Sequence, residues 1–501
     1  MREYEVSLNP NKIVKYLRKP SKEFTRHDII RFIEENNIEM LNFRFAGEDG
    51  KLKTLNFVIT SRDYLESILS TGERVDGSSL FSYVDADSSD LYVIPRFSSA
   101  FVNPFSQIPS IDILCSFYTK DGKPLESAPE YILRKAHYHF KQSTGLTFKA
   151  MGELEYYVIG KTDMLYPAQD QKGYTNSQPF SKWEDLRKEA MNLIAQSGGK
   201  IKYGHSEVGN FTSAEEYFEQ HEIEFQPVEA EDAVDQLLIG KWILRMLGKK
   251  YNVNISFAPK ISVGKAGSGL HIHFLADKDG VNLMADTEGI TDTAKKIIAG
   301  ILSKARELTA FGNTVPLSYM RLVPHQEAPV NICWGDTNRS ALIRVPLGWI
   351  AKTNMVKDAN PYERYDVPYI PGKQTVELRT PDGSADLYHL MAGIIMSAQY
   401  GLQKSDAIDL ADKLYVGVNI FKEENKDKAF RLKQLPVSCG ESADALEKDR
   451  SFFESNTIFP KGTIDRFLKQ LRSYKDKNLR KELTGKDKKL KELVNNYMHQ
   501  M

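Results

Sequence analysis

Apolar positions recur along this chain with two periods, near 3.6 in some segments and near 2 in others. Residues 25–36 (TRHDIIRFIEEN) predict a short helix. Thr25 and Asp28 stand at capping-box spacing, and Ile29, Ile30, Phe32 and Ile33 form an apolar face. Residues 38–58 predict a hairpin: Leu41, Phe43 and Phe45 alternate, Asp49-Gly50 signals a turn, and Leu55 and Phe57 alternate again. A turn-rich stretch at 121–130 (DGKPLESAPE) precedes a new helical pattern and marks a boundary between residues 1–126 and 127–501. Helices follow at 231–249 and 291–310, the second with Ile297, Ile298, Ile301, Leu302, Ala305 and Leu308 on one face. Residues 347–373 are rich in Pro, Gly, Asn and Tyr and predict a long loop, a kind of segment that is usually functional or disordered. The Lys-rich tail from Lys475 places Leu479, Leu483, Leu490, Leu493, Val494 and Tyr497 at helical spacings, which predicts a solvated helix docking one face. Acidic residues interrupt its basic face and argue against a membrane-surface helix.

Charge placement within the strand-like segments is the informative feature. Residues i and i+2 of a strand share a face. In Met151–Ile159, Leu154, Tyr156 and Val158 therefore oppose Glu153 and Glu155. In Gly269–Phe274, Leu270, Ile272 and Phe274 oppose His271 and His273. Glu222 and Glu224 pair in His221–Phe225, Glu377 and Arg379 oppose Val376 and Leu378, and Arg344 opposes Ile343 and Val345. One such strand alone reads as an edge with a solvated face. Five together predict a curved sheet with a polar concave face. Carboxylates with occasional imidazoles suit Mg²⁺ or Mn²⁺ rather than structural zinc. Arginines beside such ions suit a phosphoryl group in transfer.

Composition narrows the field further. The 501 residues hold 67 Lys plus Arg and 67 Asp plus Glu, a formal net charge of +0, so no basic field attracts nucleic acid. Cys115, Cys333 and Cys439 are far apart and odd in number, which excludes a disulfide framework or Cys-rich zinc module and fits a reducing, cytoplasmic setting. No apolar run is long enough to span a bilayer, and the N-terminus lacks the apolar core of a secretory signal. Neither nucleic acid nor membrane is thus expected as a partner. The usual nucleotide loops are absent. Glu155 stands where a P-loop ending at Gly160-Lys161-Thr162 needs its first Gly, and Gly264–Gly269 has the wrong spacing for a dinucleotide fingerprint.

The segments VDGSS (75–79), GELE (152–155), EV (207–208) with QHEIEF (220–225), GSGLHIH (267–273), RLVPHQEAPV (321–330), NRSALIRVP (338–346) and VELRTPDGSADLYH (376–389) resemble type I glutamine synthetase, in order from about residue 25 to about 450. The resemblance implies an α+β protein: an N-terminal β-grasp domain (1–126) and a C-terminal catalytic domain (127–501) with a curved antiparallel sheet, flanking helices and the Lys-rich tail. It implies ATP as co-substrate, two or more Mg²⁺ or Mn²⁺ ions per site, and a two-ring homododecamer with active sites between subunits. One metal site would be Glu155, Glu207 and Glu222, the other Glu153, His271 and Glu377. His273 would lie towards the nucleotide phosphates. Arg321 would bind the glutamate α-carboxylate, with Gly267 in the same substrate site. Arg339 and Arg344 would hold the transferring phosphate, and Arg379 would meet that phosphate and the side-chain carboxylate. Asp76 of a neighbouring subunit would bind and deprotonate ammonium, with Ser79, Tyr174 and Glu207 completing the pocket. Glu327 would sit on a flap over the intermediate.

The chain departs from the family pattern near the substrate entrance. Ala266 precedes Gly267-Ser268-Gly269 where the family usually has Asn, and His325-Gln326-Glu327 replaces Gly-Tyr-Glu. Thr375 stands for a frequent Arg, extra residues separate Glu207 from Glu222, and the 347–373 loop is longer than usual. Three readings follow: ligation of ammonia to glutamate, ligation of an organic amine to glutamate, or a catalytically dead scaffold. A scaffold needs none of the six metal-ligand types or four arginines, all of which are present. Asp76 and Glu207 favour ammonium over a bulky amine.

Overall fold

The computed structural model describes residues 3–84, 89–163, 165–213, 215–323, 328–348, 354–365, 373–483 and 487–499. Among them, sixteen strands form two sheets. The smaller contains Met40–Ala46 (β1), Leu52–Val58 (β2), Glu73–Asp76 (β3), Asp90–Pro95 (β4), Phe101–Val102 (β5) and Ser110–Thr119 (β6), in the order β2-β1-β6-β4-β3 with β5 beside β6. β1 and β2 are the expected hairpin, running antiparallel from Met40 opposite Val58 to Ala46 opposite Leu52. β1 and β6 run parallel. The expected helix is Arg26–Glu35, closed at its start by a Thr25–Asp28 capping box. Its Ile29, Ile30, Phe32 and Ile33 pack with Leu41, Phe43 and Phe45 of β1. This is the β-grasp unit of an α+β chain.

The opposite face of the small sheet meets the rest of the protein. Asp112 accepts from Asn42 Nδ2 at 2.7 Å and from Arg44 Nε at 2.7 Å. The Arg44 guanidinium lies 4.6 Å from the Trp242 ring centre. Arg96 forks onto Asp235, with Nη1–Oδ2 at 2.7 Å and Nη2–Oδ1 at 3.1 Å, and the Tyr388 hydroxyl donates to the same carboxylate at 2.7 Å. A bidentate charge pair that also takes a phenol is geometrically specific and fixes the two units against each other.

The larger sheet contains Thr147–Lys161 (β7), Ile201–Ser213 (β8), Glu216–Phe225 (β9), Val228–Glu229 (β10), Asn254–Ser256 (β11), Leu270–Lys278 (β12), Val281–Asn282 (β13), Trp334–Asp336 (β14), Ile343–Val345 (β15) and Val376–Leu378 (β16). Its order is β14-β15-β16-β12-β7-β9-β8, with β10 and β11 on β7 and β13 on β12. Within this sheet only the β14–β15 pair is parallel among the described strands. The apolar face carries Leu154, Tyr156, Val158, Leu270, Ile272 and Phe274, all buried beneath the helices Pro129–Thr144, Ala230–Tyr251 and Leu387–Gln403.

Two expectations change in detail. The helix expected at 291–310 is two, Asp292–Ser303 and Ala305–Gly312, broken at Lys304 while the apolar face stays buried. The 347–373 loop carries a short helix, Met355–Ala359, and residues 349–353 and 366–372 lie outside the described residues. The tail forms helices Leu479–Leu483 and Asp487–Tyr497. Leu483, Leu490 and Val494 are buried against Tyr157, Phe211, Phe218, Val315 and Leu317, so the tail docks one face as its spacing predicts. No helix among the described residues is long and apolar enough to cross a membrane.

Candidate active site

The polar positions of the large sheet fall on three adjacent rungs. Arg344 of β15 stands opposite Glu377 of β16, which stands opposite His273 of β12. His271 of β12 stands opposite Glu153 of β7, and Glu153 opposite Glu224 of β9. Glu155 of β7 stands opposite Glu222 of β9, and Glu222 opposite His205 of β8. The two-residue strand period keeps all nine side chains on one side. A β8–β9 register shift between Ser206 and Asn210 follows, and Glu207 lies within it. Further along the same face the character changes: Tyr157, Ile159 and Phe218 replace the charges, and the tail covers them.

Among the described residues, three groups of potential ligand atoms lie within 4.8 Å of one another: Glu153–His271–Glu377, His205–Glu207–Glu222 and Glu153–Glu224–His273. In the first, His271 Nδ1 is 2.8 Å from Glu153 Oε2 and 3.3 Å from Glu377 Oε1. Glu377 also accepts from Arg344 Nη1 at 2.9 Å and Arg379 Nε at 3.0 Å, and Arg379 Nη1 donates to the Arg339 carbonyl. His273 is nearly fully buried; Nε2 meets Glu153 Oε1 at 2.8 Å and Nδ1 meets Thr375 Oγ1 at 2.8 Å. Glu155 Oε2 accepts from the Gly269 amide at 2.7 Å and Gln220 Nε2 at 3.1 Å. Among the described residues Glu155 belongs to none of the compact groups; His205 joins Glu207 and Glu222 there.

Burial and crowding set the charges. Burial opposes ionisation of Glu153, yet the His273 and His271 imidazoles hold its carboxyl well below the usual carboxylate range. Burial, and then the Glu155 charge, push Glu207 up to about 7. Burial and the charges of Glu153, Glu155 and Glu207 raise Glu222 well above its ordinary value. Carboxylates packed this closely out of water are costly unless cations compensate them. The donor set, carboxylate oxygens with single imidazoles and no thiol, fits divalent ions of the Mg²⁺ and Mn²⁺ kind.

The remaining predicted residues surround this face or lie apart from it. Arg321 is 2 % exposed. Its Nη1 donates to the Thr380 carbonyl at 2.9 Å, and Nη2 approaches His271 Nε2 at 3.5 Å. Gly267 is buried against it: a Cβ there would stand 3.0 Å from Arg321 Cγ and 2.6 Å from the Pro259 carbonyl oxygen. Arg339 is exposed at the rim. Tyr174 is largely exposed, but its loop is laced to β8 by Thr175 N–Ser206 O at 2.9 Å and Ser206 Oγ–Gly173 O at 2.8 Å. Its ring meets His205 edge-on at 5.2 Å. Asp76 and Ser79 sit at the exposed end of β3. Asp76 Oδ2 accepts from Ser79 Oγ at 2.6 Å and Oδ1 from Ser78 N at 3.0 Å, and these bonds hold its carboxyl down to about 2. Among the described residues its partners are all local serines, and none belongs to the large sheet. Glu327, with His325 and Gln326, lies outside the described residues. Sequence reasoning missed His205 and Gln220. The alternation Tyr203, His205, Glu207 in KYGHSEV was the available signal for His205.

The family model described as "Glutamine synthetase, catalytic domain" matches residues 126–487, and "Glutamine synthetase, beta-Grasp domain" matches 37–120. The chain belongs to the glutamine synthetase family. A glutamine synthetase of Thermotoga maritima is 30% identical over 436 residues, covering 85% of this chain and 90% of its own. One of Clostridium saccharobutylicum is 29% identical over 437 residues, with the same coverage of 85% and 90%. The solved glutamine synthetase of Plasmodium falciparum superposes with a TM-score of 0.72 at 20% identity, covering 91% of this chain and 97% of its own. Glutamine synthetase family members are ATP-dependent ligases that use divalent metals, and this chain is an enzyme of that class.

Proposed function

We propose that the enzyme joins ammonia to the side-chain carboxylate of L-glutamate through γ-glutamyl phosphate, giving glutamine, ADP and phosphate. The observation that carries this reading is the Glu377 carboxylate. It binds two guanidiniums, Arg344 and Arg379, and borders a candidate metal group through His271. Phosphoryl transfer needs this pairing, because charge spreads over the equatorial oxygens as the bond to ADP breaks. Glu153, His271 and Glu377 would hold one divalent ion, and Glu155, Glu207 and Glu222 the other. Bound there, such ions supply charge neutralisation to phosphate oxygens.

The chain's own residues do the rest. Arg321 fixes the α-carboxylate, so the γ-carboxylate points at the phosphoryl group. One γ-carboxylate oxygen attacks phosphorus and ADP leaves. Arg344, Arg339 and Arg379 stabilise the charge on the transferring group, and His273 lies on the nucleotide side. Ammonium becomes a nucleophile only after losing a proton, and Asp76 of a neighbouring subunit takes it in a pocket with Ser79, Tyr174 and Glu207. The exposed position of Asp76, with only local partners among the described residues, supports that assignment. Ammonia then attacks the acyl carbon and phosphate departs, while Glu327 shields the intermediate. This reading takes residues 1–126 and 127–501 as the two domains of a cytoplasmic homo-oligomer of two-ring form. Glutamate labelled with ¹⁸O in the γ-carboxylate tests the intermediate: one label must appear in the released phosphate, and unlabelled phosphate would refute it.

A further inference from the structure

We propose that His205 is a nitrogen ligand of one divalent ion, biasing that position towards a first-row transition ion such as Mn²⁺ over Mg²⁺. The inference rests on the two-cation reading of the site and is independent of which amine the enzyme uses. His205, Glu207 and Glu222 present ligand atoms within 4.8 Å of one another on adjacent strand positions. Bonds of about 2.0–2.2 Å to a shared ion place neighbouring donors roughly 3–4 Å apart, so the group needs little adjustment to close around one. His205 Nε2 is 3.3 Å from Glu222 Oε1; the Glu207 carboxylate lies nearest the other ring nitrogen, 3.8 Å from Nδ1, and turns towards Nε2 to share its ion.

The orientation of the ring is what separates a ligand from a bystander. His205 Nδ1 stands 3.0 Å from the Ser206 carbonyl oxygen. That acceptor selects the tautomer with the proton on Nδ1 and leaves the Nε2 lone pair facing Glu222. Metal-binding histidines are characteristically held this way, the second nitrogen donating to a carbonyl or carboxylate. A lone pair and a carboxylate oxygen facing each other repel unless a cation or proton lies between them. Tyr174 packs edge-on against the ring at 5.2 Å and Tyr203 lies tilted beside it at 5.9 Å, which limits its rotation. Glu155, by contrast, has one oxygen committed to the Gly269 amide and to Gln220. An all-carboxylate site suits Mg²⁺. Exchanging one oxygen donor for imidazole adds affinity for transition ions and little for Mg²⁺.

The test is binding of Mn²⁺ and Mg²⁺ by calorimetry, with pulsed electron paramagnetic resonance of bound Mn²⁺ to detect imidazole nitrogen. In the unmodified protein every bound Mn²⁺ should show nitrogen coupling, from His205 at one ion and His271 at the other. His205→Ala should leave one Mn²⁺ without it and weaken that ion by at least about 10–100-fold, the cost of losing even a supporting group. Its Mg²⁺ affinity should change by less than about threefold. His205→Asp, which keeps a donor, should shift preference towards Mg²⁺, an effect no merely structural ring would produce. A Mn²⁺ population lacking nitrogen coupling in the unmodified protein overturns the proposal even if the variants fail to fold. So does an unchanged Mn²⁺-to-Mg²⁺ ratio in folded His205→Ala. His271→Ala separates the cases: if it alone loses a coupled nitrogen, only the His205 assignment falls; if neither variant changes Mn²⁺ binding, the two-cation reading falls with it.

Discussion

His271 stands directly opposite Glu153 across the β7–β12 pair, with Nδ1 2.8 Å from Oε2. The other Glu153 oxygen is taken by His273 at 2.8 Å, so one carboxylate ties two imidazoles of the same strand face. Glu377 closes the group from the next strand. Each side chain occupies a position that no neighbour can fill. Glu377→Gln or His271→Ala should therefore weaken one divalent ion and abolish turnover while the fold persists. Metal titration with far-ultraviolet circular dichroism checks this; unchanged stoichiometry and affinity in both variants would remove them from the metal site.

Arg321 lies buried beside His271 and Gly267. A charge-assisted pair with a carboxylate in a desolvated pocket is worth roughly 2–5 kcal/mol when one partner is truncated. Arg321→Ala should raise the KM for glutamate far more than that for ATP. Steady-state kinetics with each substrate varied in turn decides it, and equal effects on both would contradict the assignment.

Lys241 is 3 % exposed, and its Nζ donates to the Gly383 carbonyl at 3.0 Å. Burial, and then the Arg245 charge, bring it from an ordinary value of 10.5 down to about 7. Between those values the unfolded chain binds the extra proton, so stability rises as pH rises from about 7 to about 10.5. Below that window the full cost of a buried charge remains. Lys241→Met should be the more stable protein at pH 7 by a few kcal/mol, and the advantage should shrink steadily towards pH 10. Urea unfolding of both proteins across this range measures the difference; a pH-independent difference would mean Lys241 does not titrate there.

The fold was legible where one pattern dominated. Thr25 with Asp28, and Asp49-Gly50 between Phe45 and Leu55, are local signals, and the helix and hairpin followed them. The break at Lys304 was not legible, because the apolar face continues across it and only the backbone direction changes. On the site face, Glu153, Glu155, His271, His273 and Glu377 were readable because they interrupt apolar alternation. His205 gave a weaker signal: Tyr203, His205 and Glu207 alternate, but as a wholly polar-to-aromatic stripe with no apolar pattern to interrupt, next to a register shift. Pairing register, not spacing along the chain, sets it opposite Glu222. The switch to Tyr157 and Phe218 on the same face was equally hidden, because only the docked tail explains an apolar patch there.

Asp76 ends a strand of the small sheet, far along the chain from every proposed metal ligand. If it serves the neighbouring subunit, Asp76→Ala should lose roughly 10²–10⁴-fold in rate, the scale of a positioned base. A hetero-oligomer of Asp76→Ala and Glu377→Gln chains should regain activity, because some sites then combine two intact halves. Differently tagged chains, co-expressed and purified as mixed assemblies, give the measurement. Activity no greater than the average of the two variants would mean that Asp76 serves its own chain.

The central claim concerns which nitrogen nucleophile meets the acyl phosphate. Mass spectrometry of the product formed from glutamate, ATP and Mg²⁺, with ammonia and a panel of polyamines and aromatic amines offered in parallel, tests it most directly. Glutamine, formed with ammonia at one ADP per product, is the expected result. Rapid formation of a γ-glutamyl amine, with no product from ammonia, would contradict it.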